Sequence, residues 1–307
     1  MTSADNANAT SDPWLHWLTH GRHGGDPNLQ AAIRHRVESI RDRVLHGAHL
    51  REGMTLLDVG AGDGLIGFGA IAQIGDSLNV IFADISAPSL RHMEELARQQ
   101  HVSGRCTFVE ATAERLHGVA DAAVDVVSTR AVLAYVADKP AAAHEFHRVL
   151  KPGGRVSLAE PICHDDAYSL AHLAQFLATR PADATTLDAR LFLRWKGAQL
   201  PDTAEAIIDN PLTNFTERDL FTIFEAAGFV ETHLELHIDT HKLPVMPWEN
   251  FLDIAHHPAA PTLREVLTTR FTTSERDHFE TGLRPSVEAG QIAHRDAIAY
   301  LTAVKSK

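Results

Sequence analysis

The chemistry-bearing residues of this 307-residue chain concentrate in Leu56-Leu57-Asp58-Val59-Gly60-Ala61-Gly62-Asp63-Gly64-Leu65-Ile66-Gly67. An apolar strand candidate runs into three closely spaced glycines, then reopens as an apolar helix (Leu65, Ile66, Phe68, Ile71). Glycine at such a junction permits a tight turn and lets a ligand lie against bare backbone. Asp84 ends the next strand candidate, Asn79–Asp84, at the separation at which such folds hold a ribose. Together these residues point to a bound nucleoside cofactor.

Two cofactors compete for that loop. Gly62-Asp63-Gly64-Leu65-Ile66-Gly67 matches the dinucleotide pattern GxGxxG, which would make the protein a nicotinamide or flavin enzyme. In that fold the first glycine sits at the strand end and the pyrophosphate lies on the helix N-terminus. Here the strand end is Gly60, and Asp63 would put a carboxylate into the phosphate site. Counted from Asp58 and Gly60 through Asp63 and Gly64, the loop is glycine flanked by acid. That suits a ligand with positive charge, such as the ammonium and sulfonium of S-adenosylmethionine.

Four segments then fall in register: LLDVGAGDG, the acid of FADIS, VDVVSTRAVLAYV and HRVLKPGGRVSLAEP. In that order and spacing the chain resembles the class I S-adenosylmethionine-dependent methyltransferases, of the type that includes ubiquinone and menaquinone biosynthesis enzymes. The resemblance covers about residues 50–162. It implies that Gly60, Ala61 and Gly62 pass backbone along the methionine and ribose, that Asp84 accepts from the ribose hydroxyls, and that Ile85 lies against adenine. Thr112, Ala113 and Glu114 would edge the adenine, although the family often carries Asp where Thr112 stands. Main chain near Thr129 and Arg130 would meet the methionine amine. Methyltransferases that esterify the C-terminal carboxylate of modified peptides share a similar core with added helices, which makes carboxylate O-methylation the specific expectation.

Methyl transfer needs orientation more than a catalytic triad, and a general base only where the acceptor is an alcohol or protonated amine. Arg130 and Tyr135 follow the fourth strand candidate and are the expected catalytic pair, Arg130 as a carboxylate clamp and Tyr135 orienting the acceptor. An ion pair and a packed core tyrosine are the structural alternatives. Residues 14–26 carry Trp14, Trp17, Arg22 and three histidines before a glycine pair. As a lid they would bring Trp17 and Arg22 to the substrate and His23 in as a base; as a packed amphipathic helix they would only cover the core. The histidine sets His16, His20, His23 and His233, His237, His241 have ligand-like spacing. Neither HExxH nor paired CxxC occurs, and the second set lies on the polar face of an alternating strand, so no metal is expected. Cys106 and Cys163 are too few for a multi-cysteine arsenic methyltransferase.

The elements that must position these groups alternate strand and helix. Strands are expected over 54–59, 79–84, 105–109, 124–129 and 155–160, with helices after the first, second and fourth, the last ended by Lys151-Pro152-Gly153-Gly154. A helix over 213–228, a strand over 230–239 and a last strand over 297–304 complete the pattern. The expectation is an α/β, Rossmann-like, doubly wound seven-stranded sheet with its last strand antiparallel and helical cap segments over the carboxyl edge. Its divisions are a disordered tail at 1–11, a helical lid at 12–50, a cofactor-binding core at 51–161 and a cap insertion at 162–212. A core helix and sixth strand at 213–242, a second insertion at 243–293 and a last strand with tail at 294–307 follow. Both insertions leave the carboxyl ends of strands, where ligands sit, so both are expected to roof the site, with padding or a dimer surface as the alternative.

With 28 basic against 40 acidic side chains the chain carries −12, which disfavours a nucleic-acid partner. Two cysteines suggest a reducing compartment, and neither a signal sequence nor an apolar run long enough for a bilayer stands out. The expectation is a cytoplasmic enzyme of specialised metabolism moving a methyl to O or N of a small natural product or peptide, with no membrane partner and a homodimer left open. The alternatives are C-methylation of a quinone or prenyl substrate, a nicotinamide oxidoreductase, and a non-catalytic cofactor-binding partner protein.

Overall fold

The computed structural model describes residues 12–307; the tail expected at 1–11 lies outside them. Five parallel strands, β1 (Thr55–Val59), β2 (Asn79–Asp84), β3 (Cys106–Glu110), β4 (Val124–Arg130) and β5 (Leu150–Pro161), join β6 (Phe229–Lys242) and β7 (Ala293–Lys305) in one sheet. The order is β3-β2-β1-β4-β5-β7-β6, and β7 runs antiparallel to both its neighbours. The expected fold is therefore observed. The central strands are largely apolar, because helices cover both faces. β5 starts earlier than expected: Lys151–Gly154 stay within the strand, and its register against β4 shifts between Val124 and Val126.

On one face lie α2 (Pro27–Ala48), α3 (Leu65–Ile74) and α4 (Ala87–Gln99), after a short α1 (Pro13–His16); Val44, Ile66, Leu90 and Phe82 share their core. On the other lie α5 (Lys139–Val149) and, later, α9, with Phe146 and Phe224 buried together. The insertion after β5 forms α6 (His164–Ala178), α7 (Leu187–Lys196) and α8 (Ala204–Asp209); α9 (Glu217–Ala226) starts at a Thr216/Asp219 capping box. The insertion after β6 forms α10 (Trp248–Leu252), α11 (Leu263–Arg270) and α12 (Thr273–Glu288), the last two opened by Thr262/Glu265 and Thr272/Glu275 boxes. Leu191 and Trp195 from α7, Trp248 and Phe251 from α10, and Val266 from α11 pack with Leu29 of α2, so the cap has its own apolar core. No described helix is long and apolar enough to cross a membrane.

The polar face of β6 departs from expectation. Instead of meeting solvent alone it is partly covered by α2, whose Arg43 pairs with Glu235 and lies over the Tyr300 ring. On the apolar face Leu234 packs on the core, while Ile238 nearer the strand end stays 61 % exposed.

Gly67 of α3 packs where an added Cβ would stand 2.2 Å from the buried Phe82 ring, whereas one on Gly282 of α12 would meet nothing within 4 Å. Gly67→Ala is expected to lower stability by about 1–3 kcal/mol through overpacking. Gly282→Ala should raise it by about 0.5–1 kcal/mol, because helical glycine costs backbone entropy. Urea denaturation followed by circular dichroism checks both signs.

Candidate active site

A cavity of about 310 Å³ opens at the carboxyl ends of β1, β2 and β4. Asp58, Gly60, Ala61, Gly62 and Asp63 line it, and Gly60 and Gly62 adopt φ of 62° and 58°. At Gly60 a Cβ would come within 2.2 Å of Val132, so only glycine lets the loop pass there. Gly64 lies outside the wall and starts α3 in the left-handed region. The loop is held from β2: Asp84 accepts from Gly62 N–H and Ser86 N–H, both at 2.8 Å. Asp58 accepts from Gly67 N–H at 2.9 Å, joining the strand end to α3.

Burial raises both carboxyls. Asp58 is pushed up to about 7, against the pull of the Gly67 bond and the nearby Arg130; Asp84 is also raised, against its own backbone donors. A cationic ligand would favour their ionised forms, whereas a pyrophosphate would meet Asp58, Asp63, Asp84 and Glu114 on one wall.

The second half of the cavity suits a nucleoside. Ile85 lines it and stays 53 % exposed, an apolar platform awaiting a flat partner. Thr112, Ala113 and Glu114 form the edge beside it. Ser89 is a wall residue that sequence reasoning missed; its buried Oγ has no hydrogen-bond partner, leaving it free for a hydroxyl or ring nitrogen. The glycine cradle, the Asp84 carboxylate and this orphan hydroxyl fit S-adenosylmethionine.

Opposite the loop stand Arg130 and Tyr135, both on the wall; Thr129 is fully buried behind them. Arg130 has no carboxylate within ion-pair distance among the described residues. Ala131 turns at φ 55°, uncommon for a residue with a side chain, and its N–H donates to Ala159. Glu160, which sequence reasoning missed, fixes this turn: fully buried at the end of β5, it accepts from Val132 N–H at 3.0 Å and Ala134 N–H at 3.1 Å. Burial pushes its carboxyl up to about 7. Its signal is the one Asp84 carries, an acid closing an apolar strand. Burial raises the Tyr135 hydroxyl well above its ordinary value, so it stays protonated, and its ring meets Trp14 edge-on at 4.9 Å.

Trp14, Trp17 and Leu18 close the cavity from the N-terminal segment. Trp17 opens a π-helical turn, Trp17–Gly21, and its Nε1–H donates to Ala255 O at 2.9 Å. Ala255 N–H donates to Gly21 O, and Asn250 Nδ2–H to Gly24 O. Neither insertion contributes a wall residue; the second one, through Asn250 and Ala255, holds the segment that does. Trp14 and Leu18, which packing alone could explain, are thus part of the site.

Two proposed side chains lie elsewhere. His23 is buried off the cavity, its Nε2 bonded to Thr19 O at 2.8 Å and its Nδ1 accepting from Gly25 N–H, so the turn geometry uses both ring nitrogens and no base remains. Arg22 is off the wall and faces Asp63 at 3.8 Å, a latch between lid and glycine loop; burial lowers its pKa, opposed by Asp63. Of the spaced histidines, His16 and His20 stack with each other, while His241 gathers with His294 and Asp296 closely enough for a metal. Arg36 already fills that position: it contacts Asp296 and donates to His241 Nε2 at 3.1 Å.

Residues 50–227 match the family profile described as Methyltransferase domain. A ubiquinone/menaquinone biosynthesis C-methyltransferase of Citrobacter koseri is 31 % identical over 194 residues, 60 % of this chain and 74 % of the relative. One of Enterobacter is 35 % identical over 111 residues, 36 % of this chain and 44 % of the relative. In structure the chain is similar to Haemonchus contortus phosphoethanolamine N-methyltransferase 2 in complex with phosphomonomethylethanolamine and S-adenosylhomocysteine. The TM-score is 0.51 at 16 % identity, over 88 % of this chain and 53 % of that one, a likeness of fold.

Asp84→Ala should weaken S-adenosylmethionine binding by roughly 10- to 100-fold, the worth of one or two hydrogen bonds to a charged group. The Asp58 value of about 7 lies above that of a free carboxyl, and a bound cation lowers it. Binding below about pH 7 should therefore release protons, and affinity should rise between about pH 5.5 and 7.5. Calorimetry in buffers of different ionisation enthalpy measures both, and Asp58→Asn should flatten the dependence.

Proposed function

The chain belongs to the class I S-adenosylmethionine-dependent methyltransferases, matched over residues 50–227, and we propose that it esterifies a carboxylate of a small organic or peptide acceptor held beside Arg130 and Tyr135. The observation that carries this reading is Arg130: a guanidinium on the cavity wall without a carboxylate partner among the described residues. Such a group suits a carboxylate, which it can bind through one oxygen while the other faces the methyl donor. S-adenosylmethionine, when bound, supplies a methyl on a positively charged sulfur.

The residues of the chain do the rest by placement. Asp84, Gly60 and Gly62 hold the cofactor end, and Glu160 holds the turn that carries Val132 and Tyr135. A carboxylate oxygen takes the methyl with no proton to remove, so the site needs no base, and no histidine is on its wall. Holding acceptor and donor near contact can contribute roughly 7–11 kcal/mol. Trp14 and Trp17 exclude water from the transfer.

A second reading is C-methylation of a quinone or prenyl acceptor, which the apolar wall of Trp14, Trp17, Leu18 and Tyr135 favours. The cytoplasmic, specialised-metabolism setting belongs to the same proposal, as does the exclusion of nucleic acid, supported by the charge of −12.

Incubating the protein with tritiated-methyl S-adenosylmethionine and a mixture of carboxylate-bearing natural products and peptides should give a product that releases volatile methanol in alkali. Label that survives alkali would exclude esterification and favour C- or N-methylation. Arg130→Leu should raise KM for the carboxylate acceptor at least tenfold, about the worth of one charge-assisted pair.

A further inference from the structure

A second cavity, of about 580 Å³, lies under the C-terminal end of α2, against the face that β5, β7 and β6 turn to that helix. At 1.5 Å per residue the 22 residues of α2 put it about 30 Å from the lid that precedes them. No residue lines both this cavity and the methyl-transfer site. The helix lies close to the sheet here because Gly47 has no side chain: a Cβ would stand 2.7 Å from Ser157 Oγ and 2.8 Å from Thr302 Cγ2. Ser157, Thr302 and His233 form one row across the three strands, and Arg155 shares their face two residues before Ser157.

The charges on this wall fall into two groups. Near Tyr300 they are matched: Arg43 pairs with Glu235, which also accepts from His233 Nε2 and His237 Nε2, each at 3.2 Å. Around Arg155 they are not. Its guanidinium is half-buried on the wall, donates to no protein acceptor and has no carboxylate within ion-pair distance among the described residues. His46 and His49 reach the wall from the helix, their rings 6.3 Å apart and edge to face, and neither ring makes a hydrogen bond among the described residues. Burial, together with the like charges of Arg155, His46 and Arg51, holds the His49 imidazole below its ordinary value, so these groups share one positive field. Glu231 is the remaining carboxylate of the wall; it sits on the β6 bulge at φ 51° and pairs with none of them. A helix C-terminus accounts for the two histidines, since its carbonyl dipoles favour cations. It does not account for Arg155, which comes from β5 with its N–H donors unused.

We propose that the cavity under α2 is a second ligand site, which takes a small oxyanion, phosphate or carboxylate, against Arg155, His46 and His49. The planar guanidinium fork fits two oxygens of either group. The imidazoles add donors once protonated, and a bound anion favours that form. Glu231 repels an anion placed beside it and so confines the ligand to the Arg155 side. Nothing in this site depends on which acceptor lies at Arg130.

The test uses the full chain and the reactivity of Arg155. Phenylglyoxal, which modifies free guanidinium groups, is applied at about pH 7.5, and peptide mass spectrometry compares Arg155 with Arg218, whose side chain is 92 % exposed. Inorganic phosphate or acetate at about 10 mM should slow modification of Arg155 about fivefold, as mass action gives for a Kd of about 2–3 mM, and leave Arg218 unchanged. Protection by phosphate alone identifies a tetrahedral oxyanion as the ligand group; protection by acetate as well identifies a carboxylate. Protection by neither overturns the site, and so does equal protection by sodium chloride at the same ionic strength, which is charge screening. As a second measurement, Arg155→Gln should keep the rise in melting temperature given by S-adenosylmethionine and lose the rise given by the protecting anion. A variant that keeps the anion's full effect places the anion elsewhere and overturns the proposal. If Arg155→Gln does not fold, protection in the unaltered chain decides alone.

Discussion

The site depends on a close approach that only bare backbone allows, Gly60 against Val132. A side chain at Gly60 would stand 2.2 Å from Val132, so the loop after β1 and the turn after β4 could not share one cavity wall. Each partner in that approach is held by an acid at a strand end. Asp84 of β2 takes the Gly62 N–H, and Glu160 of β5 takes the Val132 and Ala134 N–H groups. Four neighbouring strand ends are thus tied to one gap, and the gap is where the cofactor fits.

The same ties set the electrostatics. Asp58, Asp84 and Glu160 are buried carboxyls raised by desolvation, the first two on the cavity wall where a cationic cofactor fits and the third behind the Val132–Ala134 turn. Arg130 stands on the same cavity wall without an ion-pair partner among the described residues, close enough to favour the ionised forms of Asp58 and Glu160.

Much of the core was legible because its signals are local. The glycine loop and Asp84 are short-range features, and β1, β2 and β4 are largely apolar segments of the kind a buried parallel sheet carries. Glu160 carried the same mark as Asp84, an acid closing a buried strand, but its target lies 28 residues earlier, at Val132, and nothing local names that partner. His23 misled for the opposite reason. Its type and spacing suited a base, while the turn it sits in needed both ring nitrogens for backbone. The roof was read onto both insertions, yet the wall is made by Trp14, Trp17 and Leu18, which the second insertion braces through Ala255 and Asn250.

By itself, then, the sequence determined the fold and the cofactor, since backbone conformation, strand burial and the placement of acids at strand ends are encoded within a few residues of one another. Tertiary structure alone decided what lies across from the cofactor. Whether Arg130 is paired or free and whether Arg22 touches substrate or Asp63 depend on segments brought together from tens of residues apart. Such contacts are chosen by packing and by the cost of leaving a buried charge uncompensated, and those costs exist only once the chain is folded.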